Sequence, residues 1–533
     1  MLELAGVFLS NSLRHYPPAD MNAFAYHRSE TNFRGRVRLT ALLGSAIWLT
    51  GCANLTSQAL STEEIQSQVQ ADRQSLGKDV APLTGPVSLE EAIARAIKYN
   101  AAQRLRGMEE AVAQGTANVA KFDMLPKLVA SAGYRYRDKD LISRSTDSVT
   151  GAPSLAHPYI SSDRESTLAS LSFSWSLLDF GQSYYAARQH ADRAQIAAER
   201  RRKAIHTLIQ DVRIAYWRVA AAQALESSLQ TAGQDADKAL EDSRKVEAEK
   251  LRSPMEPLRY QRQLLENIRL LEAIQQELSS SRIELASLMG VSPAELNQPL
   301  RVIEPAASNA QRWLEQPVDK LEDRALLLNP DLRESLYNAR IANEETKRVM
   351  LRMFPGLSFN YGINKSSDSY LINDRWQDAG LQISFNLLGL LSLPAQRQLA
   401  DAGVQLADQR RLATQMAVLT QLHVARLQFA NAVRQYERAQ TIASVDQRLS
   451  EHVNNQVQAD KLNALERVSQ QTSTILSVLR RYQAQSNMQA ASSRLQATLG
   501  MEPVIEGSDS MPLPELTQAV GKSLQSWDAG QFQ

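Results

Sequence analysis

Two stretches of the sequence lack helix-breaking residues over a length that few folds can use. No proline occurs at 159–253 or at 395–502, and each stretch holds a single glycine over most of its length (Gly233 in 182–253, Gly403 in 395–499). Apolar residues recur in both at helical spacing, as in Ile205, Leu208, Ile209, Val212, Tyr216 and Val219 and in Leu419, Leu422, Phe429, Val433 and Tyr436. A helix of about 70 residues is about 105 Å long, far beyond the globular average. The sequence therefore predicts two very long helices.

The two long helices belong to a tandem duplication. Asn100 and Asn329 are each followed 26 residues later by a proline, Pro126 or Pro355. The segment LSFSWSLL at 171–178 matches LQISFNLL at 381–388. Both copies read in the order helix, proline, strand, loop, strand, long helix, break, helix. This order predicts two long antiparallel helix hairpins in one chain.

These features divide the chain into predicted parts. Residues 1–51 form a signal region, with Met21 as an alternative start, and 52–87 a lipidated N-terminal linker. Repeat 1 covers 88–300, with strands at about 127–138 and 165–178 and a helix hairpin at about 181–290. A linker at 301–318 leads to repeat 2 at 319–505, with strands at about 356–364 and 376–388 and a hairpin at about 391–500. Residues 506–533 are predicted to be a polar C-terminal tail.

The N-terminus has the pattern of a lipoprotein signal. Three arginines at 34, 36 and 38 precede an apolar run at 39–49, which is too short for a membrane-spanning helix of about 20 residues. The run ends at Leu49-Thr50-Gly51-Cys52, and Cys52 is the single cysteine of the chain. This arrangement predicts a bacterial lipobox in which the Cys52 thiol is acylated. A buried cysteine behind an ordinary signal peptide is the alternative interpretation.

Composition excludes several classes of protein. The 59 Lys and Arg balance 58 Asp and Glu, so no nucleic acid or other strongly charged partner is expected. The mean hydropathy of −0.34 excludes a bundle of transmembrane helices, and one cysteine excludes an intrachain disulfide. The seven histidines show no paired-ligand spacing. We therefore expect no enzyme activity, no cofactor and no metal.

The predicted strands alternate between apolar and polar residues. In LASLSFSWSLL, serines at 170, 172, 174 and 176 alternate with large apolar residues, and a strand turns successive side chains to opposite faces. A transmembrane β-barrel has such strands, and so does a soluble sheet packed on a core. In the barrel interpretation the lipid-facing residues are Leu171, Phe173, Trp175, Leu177, Phe359, Tyr361, Ile383 and Phe385. The pore-facing residues are Arg135, Arg137, Ser170, Ser172, Ser174, Ser176, Asn360, Gln382, Ser384 and Asn386.

Four strands per chain are too few to close a barrel, because the smallest bacterial barrels have eight. A sheet edge cannot stay open in hydrocarbon, so several chains must share one barrel. Two copies would supply eight strands and three would supply twelve. An eight-stranded barrel is largely filled by its own side chains, so a conducting channel favours twelve.

Taken together, the repeats, the Pro126 and Pro355 junctions, the two matching strand segments and the helix ends at Gly290 and Gly500 resemble the TolC/OprM family of outer-membrane efflux proteins. The resemblance covers about residues 86–505, and Cys52 fits the lipoprotein branch. It implies a mainly α fold with a small β part. Three chains would form a periplasmic α-barrel from their helix hairpins and share a twelve-stranded β-barrel in the outer membrane, in contact with its lipid.

The resemblance also implies a function. The homotrimer would be a passive exit duct that conducts small molecules such as drugs from an inner-membrane transporter and a periplasmic adaptor (membrane fusion protein) to the exterior. The adaptor would contact the hairpin tips through Leu251, Arg252, Asp460 and Leu462. The Gly-Leu pair usual at drug-efflux tips lacks its glycine here, which leaves open a duct for type I protein or polysaccharide secretion. A lipid-anchored periplasmic coiled-coil scaffold without a channel is a further alternative.

Overall fold

The computed structural model describes residues 59–77, 80–143, 146–153, 159–249, 255–292, 299–304, 310–459, 462–501, 505 and 507–531. The chain divides into two units, Met1–Asp72 and Arg73–Gln533. Helix α1 (Thr62–Gly77) supplies most of the described part of the first unit. It begins at a reciprocal cap, in which the Glu64 amide donates to Ser61 Oγ (3.2 Å) and the Ser61 amide donates to Glu64 Oε2 (2.8 Å).

The helices of the second unit follow the duplicated order. In repeat 1 they are α2 (Leu89–Tyr99), α3 (Ala101–Ala120), α4 (Leu177–Ala248), α5 (Met255–Ser279) and α6 (Ser281–Leu288). Those of repeat 2 are α7 (Val318–Leu328), α8 (Pro330–Leu351), α9 (Leu393–Gln458) and α10 (Ala464–Thr498), and α11 (Leu513–Asp528) follows. The 72 residues of α4 and the 66 of α9 confirm the two long helices, which pack against α5 and α10. Within the described ranges, none of the helices combines the length and apolar character needed to span a bilayer.

The strands form one antiparallel sheet of four and a small hairpin. The strands are β1 (Lys127–Tyr136), β2 (Ile142–Ser143), β3 (Tyr159–Ile160), β4 (Glu165–Ser176), β5 (Gly356–Ser366) and β6 (Arg375–Ser384). The large sheet has the order β1-β4-β5-β6, and β2 pairs with β3 inside the connection from β1 to β4. Repeat 1 thus contributes one half of the sheet and repeat 2 the other, joined where β4 pairs with β5.

Two strands end earlier than the sequence predicts. Strand β4 stops at Ser176 because its hydroxyl accepts the Asp179 amide (3.2 Å), which starts α4 at Leu177. Strand β6 stops at Ser384, and the Asn386 side chain accepts the Gly389 amide (2.9 Å) to start a 3₁₀ turn at Leu388–Ser392. In both places a side-chain cap ends an alternating pattern that continues in the sequence.

Each repeat has the same kind of joint where its first short helix ends. Asn100 caps α3 by accepting the Ala102 and Gln103 amides, and its Nδ2 donates to the Leu288 carbonyl (3.1 Å). Asn329 caps α8 by accepting the Asp331 and Leu332 amides, and its Nδ2 donates to the Thr498 carbonyl (3.1 Å). One asparagine therefore ties the start of one helix to the end of a distant helix in each repeat.

The largest core of the described residues joins both repeats. It is built from α2, α4, α5, α6, α10 and α11, with Tyr216, Leu285 and Leu479 among its buried members. Ion pairs continue the contact between repeats, where α4 runs antiparallel to α8. The pairs are Arg188–Glu344 (3.1 Å), Asp192–Arg340, Glu199–Arg333 (2.8 Å), Arg200–Glu334 (2.7 Å) and Lys203–Asp331 (2.7 Å).

The prediction of a polar tail at 506–533 is wrong for its middle part, which is helix α11. Leu516, Val520 and Trp527 are buried there. The Trp527 ring stacks on Trp313 with centroids 4.3 Å apart, and Trp313 Nε1 donates to the Trp527 carbonyl (2.7 Å). The three apolar residues fall on one helical stripe, which the polar composition of the segment obscures.

Candidate functional site

The register of the sheet separates its side chains into two faces. In an antiparallel pair, residues directly opposite each other share a face. Phe173 lies opposite Leu128 on one side and Tyr361 on the other, and Leu357 lies opposite Ile383. One face therefore carries the predicted residues Leu171, Phe173, Trp175, Phe359, Tyr361 and Ile383. The rings of Phe173 and Phe359 meet edge to face at 6.0 Å.

The opposite face is polar. It carries the predicted residues Arg135, Ser170, Ser172, Ser174, Ser176, Asn360, Gln382 and Ser384. Its side chains bond across the strands: Ser131 Oγ and Ser170 Oγ are 2.6 Å apart, and Asn364 Nδ2 donates to Asp378 Oδ2 (2.7 Å). The predicted pore-facing set leaves out Asn364 and Asp378, although the alternation along their strands places both on this face.

Four predicted face residues lie outside the strands. Leu177 is the first residue of α4, and Phe385 and Asn386 follow the end of β6. Arg137 lies one residue beyond β1, although its amide still donates to the Arg164 carbonyl (2.8 Å). The strand-face assignment is therefore corrected for Leu177, Phe385 and Asn386, because the side chains of Ser176 and Asn386 end β4 and β6 first. Arg137 is corrected for another reason, since β1 itself ends at Tyr136.

The apolar face is bare. The exposed fraction is 66% for Leu128, 69% for Leu381 and 70% for Ile383. A soluble antiparallel sheet would bury such a face against a core. In the part of the chain that the structure describes, the large side chains of this face stay accessible.

Strands β1 and β6 are the edges of the sheet, since each pairs with one strand among the described residues. An edge strand presents unpaired backbone N–H and C=O groups to any strand that can add to it. Both edges are ten residues long. The sheet can therefore extend on either side by pairing with another strand.

The loops at the far end of the sheet are tied together. The Asp163 carboxylate accepts the hydroxyl (2.9 Å) and the amide of Ser369, and Asp368 lies 3.9 Å from Arg135. Arg164 donates two bonds to Asp140, and this guanidinium lowers the pKa of the Asp140 carboxyl. These contacts connect the loop after β1 with the loop after β5.

The predicted hairpin tips follow the ends of α4 and α9 in the sequence, and most of the residues predicted there lie outside the described residues. Leu251, Arg252 and Asp460 are outside them, as is the predicted lipidation site Cys52. Leu462 is half-buried and precedes Asn463, which caps α10 by accepting the Glu466 amide (2.9 Å). An asparagine capping box thus starts α10 directly after the second turn.

In the described ranges, no group of three or more His, Cys, Asp and Glu could hold a metal ion. His206 is the one histidine with a strongly shifted pKa among the described groups. Burial, with Arg202 and Lys203 nearby, lowers its pKa to about 3. We assign it a packing role in α4, since it lies outside the sheet.

The comparisons with known proteins agree with this geometry. Residues 98–291 match the family described as outer membrane efflux protein. The curated proteins include no match to the chain.

Solved structures share the fold over most of the chain. A membrane protein from Pseudomonas aeruginosa is 15% identical, with 80% of this chain and 92% of that chain covered and a TM-score of 0.61. The Campylobacter jejuni CmeC outer membrane channel is 13% identical, with 82% and 89% covered and a TM-score of 0.62. The Vibrio cholerae outer membrane protein VceC is 16% identical, with 77% and 96% covered and a TM-score of 0.58. The family match over residues 98–291 and the shared fold confirm the resemblance predicted from the sequence.

Proposed function

We propose that this protein is the outer-membrane exit duct of a tripartite efflux system. The observation that carries the proposal is the sheet, with one bare apolar face, one polar face and two open edges. A lipid-anchored scaffold would expose that apolar face to water, which is unfavourable in free energy. A bilayer covers such a face with hydrocarbon. The polar face then lines a water-filled lumen.

The open edges support a trimer. Strand β6 of one copy would pair with β1 of the next, so that no edge remains in the hydrocarbon. Three copies of the four-stranded sheet close a barrel of about twelve strands, which is wide enough for a lumen. The long hairpins of α4 with α5 and of α9 with α10 would form the periplasmic α-barrel below it. The lipid on Cys52 would add an anchor to the same membrane.

The partners and the cargo follow from the same architecture. A periplasmic adaptor would bind the hairpin tips through Leu251, Arg252, Asp460 and Leu462, and an inner-membrane transporter would supply the energy. Most of the proposed lumen face is uncharged, with serine, asparagine and glutamine prevailing. Such a lining is expected to pass small molecules such as drugs with little selectivity, so the transporter would choose the cargo.

Two adjacent residues of β4 provide a matched test. Phe173→Arg places a charge on the apolar face, which costs about 2–4 kcal/mol at the bilayer midplane, and the yield of assembled trimer should fall. Ser172→Arg places the same charge on the polar face, so the trimer should assemble and its conductance should change. The measurements are the mass of the detergent-purified protein and its single-channel conductance in planar bilayers.

Two results would contradict the proposal. A wild-type monomer that stays in solution without detergent would support the scaffold instead. Equal assembly and equal conductance for the two variants would show that the faces are assigned wrongly.

A further inference from the structure

The connection from β6 to α9 differs from its counterpart in repeat 1. After β4, the chain enters α4 at once and Asp179 lies in the first turn. After β6, residues 385–393 form an extra turn, which we call the leucine elbow: Phe385, Asn386, Leu387, Leu388, Gly389, Leu390, Leu391, Ser392 and Leu393. No charged residue occurs from 379 to 396.

The elbow displays its leucines outward. Leu388 is 80% exposed and Leu391 is 81% exposed, and Leu387 is also exposed. Most exposed leucines on a protein surface occur singly and need no explanation. Several in one turn, next to the bare apolar face that ends with Leu381 and Ile383, form a continuous apolar surface.

Several polar groups of the elbow form hydrogen bonds within it or to the first turn of α9. Asn386 Oδ1 accepts the Gly389 amide (2.9 Å), and Ser392 Oγ donates to the Gly389 carbonyl (2.8 Å). Gln396 Nε2 donates in turn to Ser392 Oγ (2.8 Å). A segment that enters a bilayer pairs its backbone groups internally. In the elbow the Gly389 amide donates to the Asn386 carbonyl (3.1 Å) and the Leu390 amide to the Leu387 carbonyl (3.3 Å).

The elbow lies at the end of the sheet where a membrane interface is expected. The register places the end of β4 beside the start of β5, and the start of β5 beside the end of β6. Both strand-to-helix junctions therefore lie at the same end of the strands. At the other junction the aromatic rings of Trp175 and Phe180 meet at 6.1 Å, and aromatic side chains concentrate at membrane–water interfaces.

We propose that the leucine elbow is an interfacial anchor, whose leucines insert among the acyl chains of phospholipids at the periplasmic boundary of the barrel. The first charge beyond the elbow is Arg397, which is exposed one turn into α9. A cation at that place can reach the phosphates while the leucines stay in the hydrocarbon. The inference rests on the proposed function, because it requires the sheet to lie in a membrane.

Single thiols can test the anchor in the full chain. Cys52→Ser removes the native cysteine, and Leu388→Cys, Ile383→Cys or Leu449→Cys then introduces one labelling site. Leu449 lies on α9, is exposed, and belongs neither to the elbow nor to the sheet. Each variant carries an environment-sensitive fluorophore and is reconstituted into phosphatidylethanolamine–phosphatidylglycerol vesicles that contain a spin-labelled phospholipid.

The expected result is quenching at positions 383 and 388 and none at 449. A spin label near the headgroup should quench position 388 more than a label near the end of the acyl chain does. Quenching at 383 but not at 388 would overturn the anchor and leave the proposed function intact, with the elbow covered by protein. Quenching at neither position would overturn both the anchor and the proposed function.

Discussion

At the residue scale, His206 couples the stability of the fold to pH. It is buried in α4, and its pKa is lowered from 6.5 to about 3 by burial and by the charges of Arg202 and Lys203. The unfolded chain binds a proton in the interval between these values and the folded chain does not. Stability from this group is therefore present above pH 6.5 and is lost as the pH falls, by about 1.4 kcal/mol per pH unit.

His206→Gln removes that titration. Between pH 7.5 and pH 5, the wild type should lose about 2 kcal/mol more than the variant, measured as the free energy of unfolding of the detergent-purified protein. His452→Gln changes an exposed histidine of α9 and should keep the wild-type pH dependence. An equal loss of the free energy of unfolding in the wild type and in His206→Gln would contradict the assignment of this pH dependence to His206.

At the element scale, each repeat depends on a glycine where its last helix ends against the joint. Gly500 has φ +66°, and a Cβ there would lie 2.5 Å from the Leu328 carbonyl oxygen. Gly290 has φ +74°, and a Cβ there would lie 2.6 Å from the Tyr99 carbonyl oxygen. Both helices can therefore end at these places only without a side chain.

Gly500→Ala and Gly290→Ala should each destabilise the protein by about 1–3 kcal/mol from backbone strain, with the clash in addition. Gly403→Ala is the matched control, since it lies inside α9 and a Cβ there meets nothing within 4 Å. This control should stabilise by about 0.5–1 kcal/mol. The thermal unfolding midpoint measures the stability of all three variants. A Gly500→Ala variant as stable as the wild type would show that the joint at Gly500 does not require a glycine.

The elements also show what sequence reasoning could reach. The two faces of the sheet follow from a period of two, which is a local property, so Ser172 and Phe173 could be assigned to opposite faces from the sequence. The ends of β4 and β6 depend on single caps at Ser176 and Asn386, which compete with an alternation that continues past them. Helix α11 depends on Trp527 stacking on Trp313, a contact between distant segments that composition cannot reveal. The first part of the leucine elbow, residues 385–388, is likewise predicted as strand from the sequence, because Phe385 and Leu387 extend the alternating pattern.

At the scale of the whole molecule, the decisive property is that a sheet of order β1-β4-β5-β6 leaves β1 and β6 as edges. Within the described residues these edges have no further strand partner, and the proposed function pairs β6 of one copy with β1 of the next. Ala132 and Ala379 lie near the middle of the two edge strands, and both lie on the apolar face. In the proposed shared barrel we expect these two positions of neighbouring copies to lie close together.

The double variant Ala132→Cys/Ala379→Cys tests this closure. A short thiol-reactive cross-linker should convert the detergent-purified protein into covalent dimers and trimers on a denaturing gel, with no larger species, because three copies close the ring. Each single variant should yield no trimer, since a ring requires both thiols in every copy. A ladder that continues past three would indicate an open assembly, and monomer alone would indicate that the edges are covered in another way. Because the cross-link joins the edges themselves, the length of the ladder counts the copies in one barrel directly.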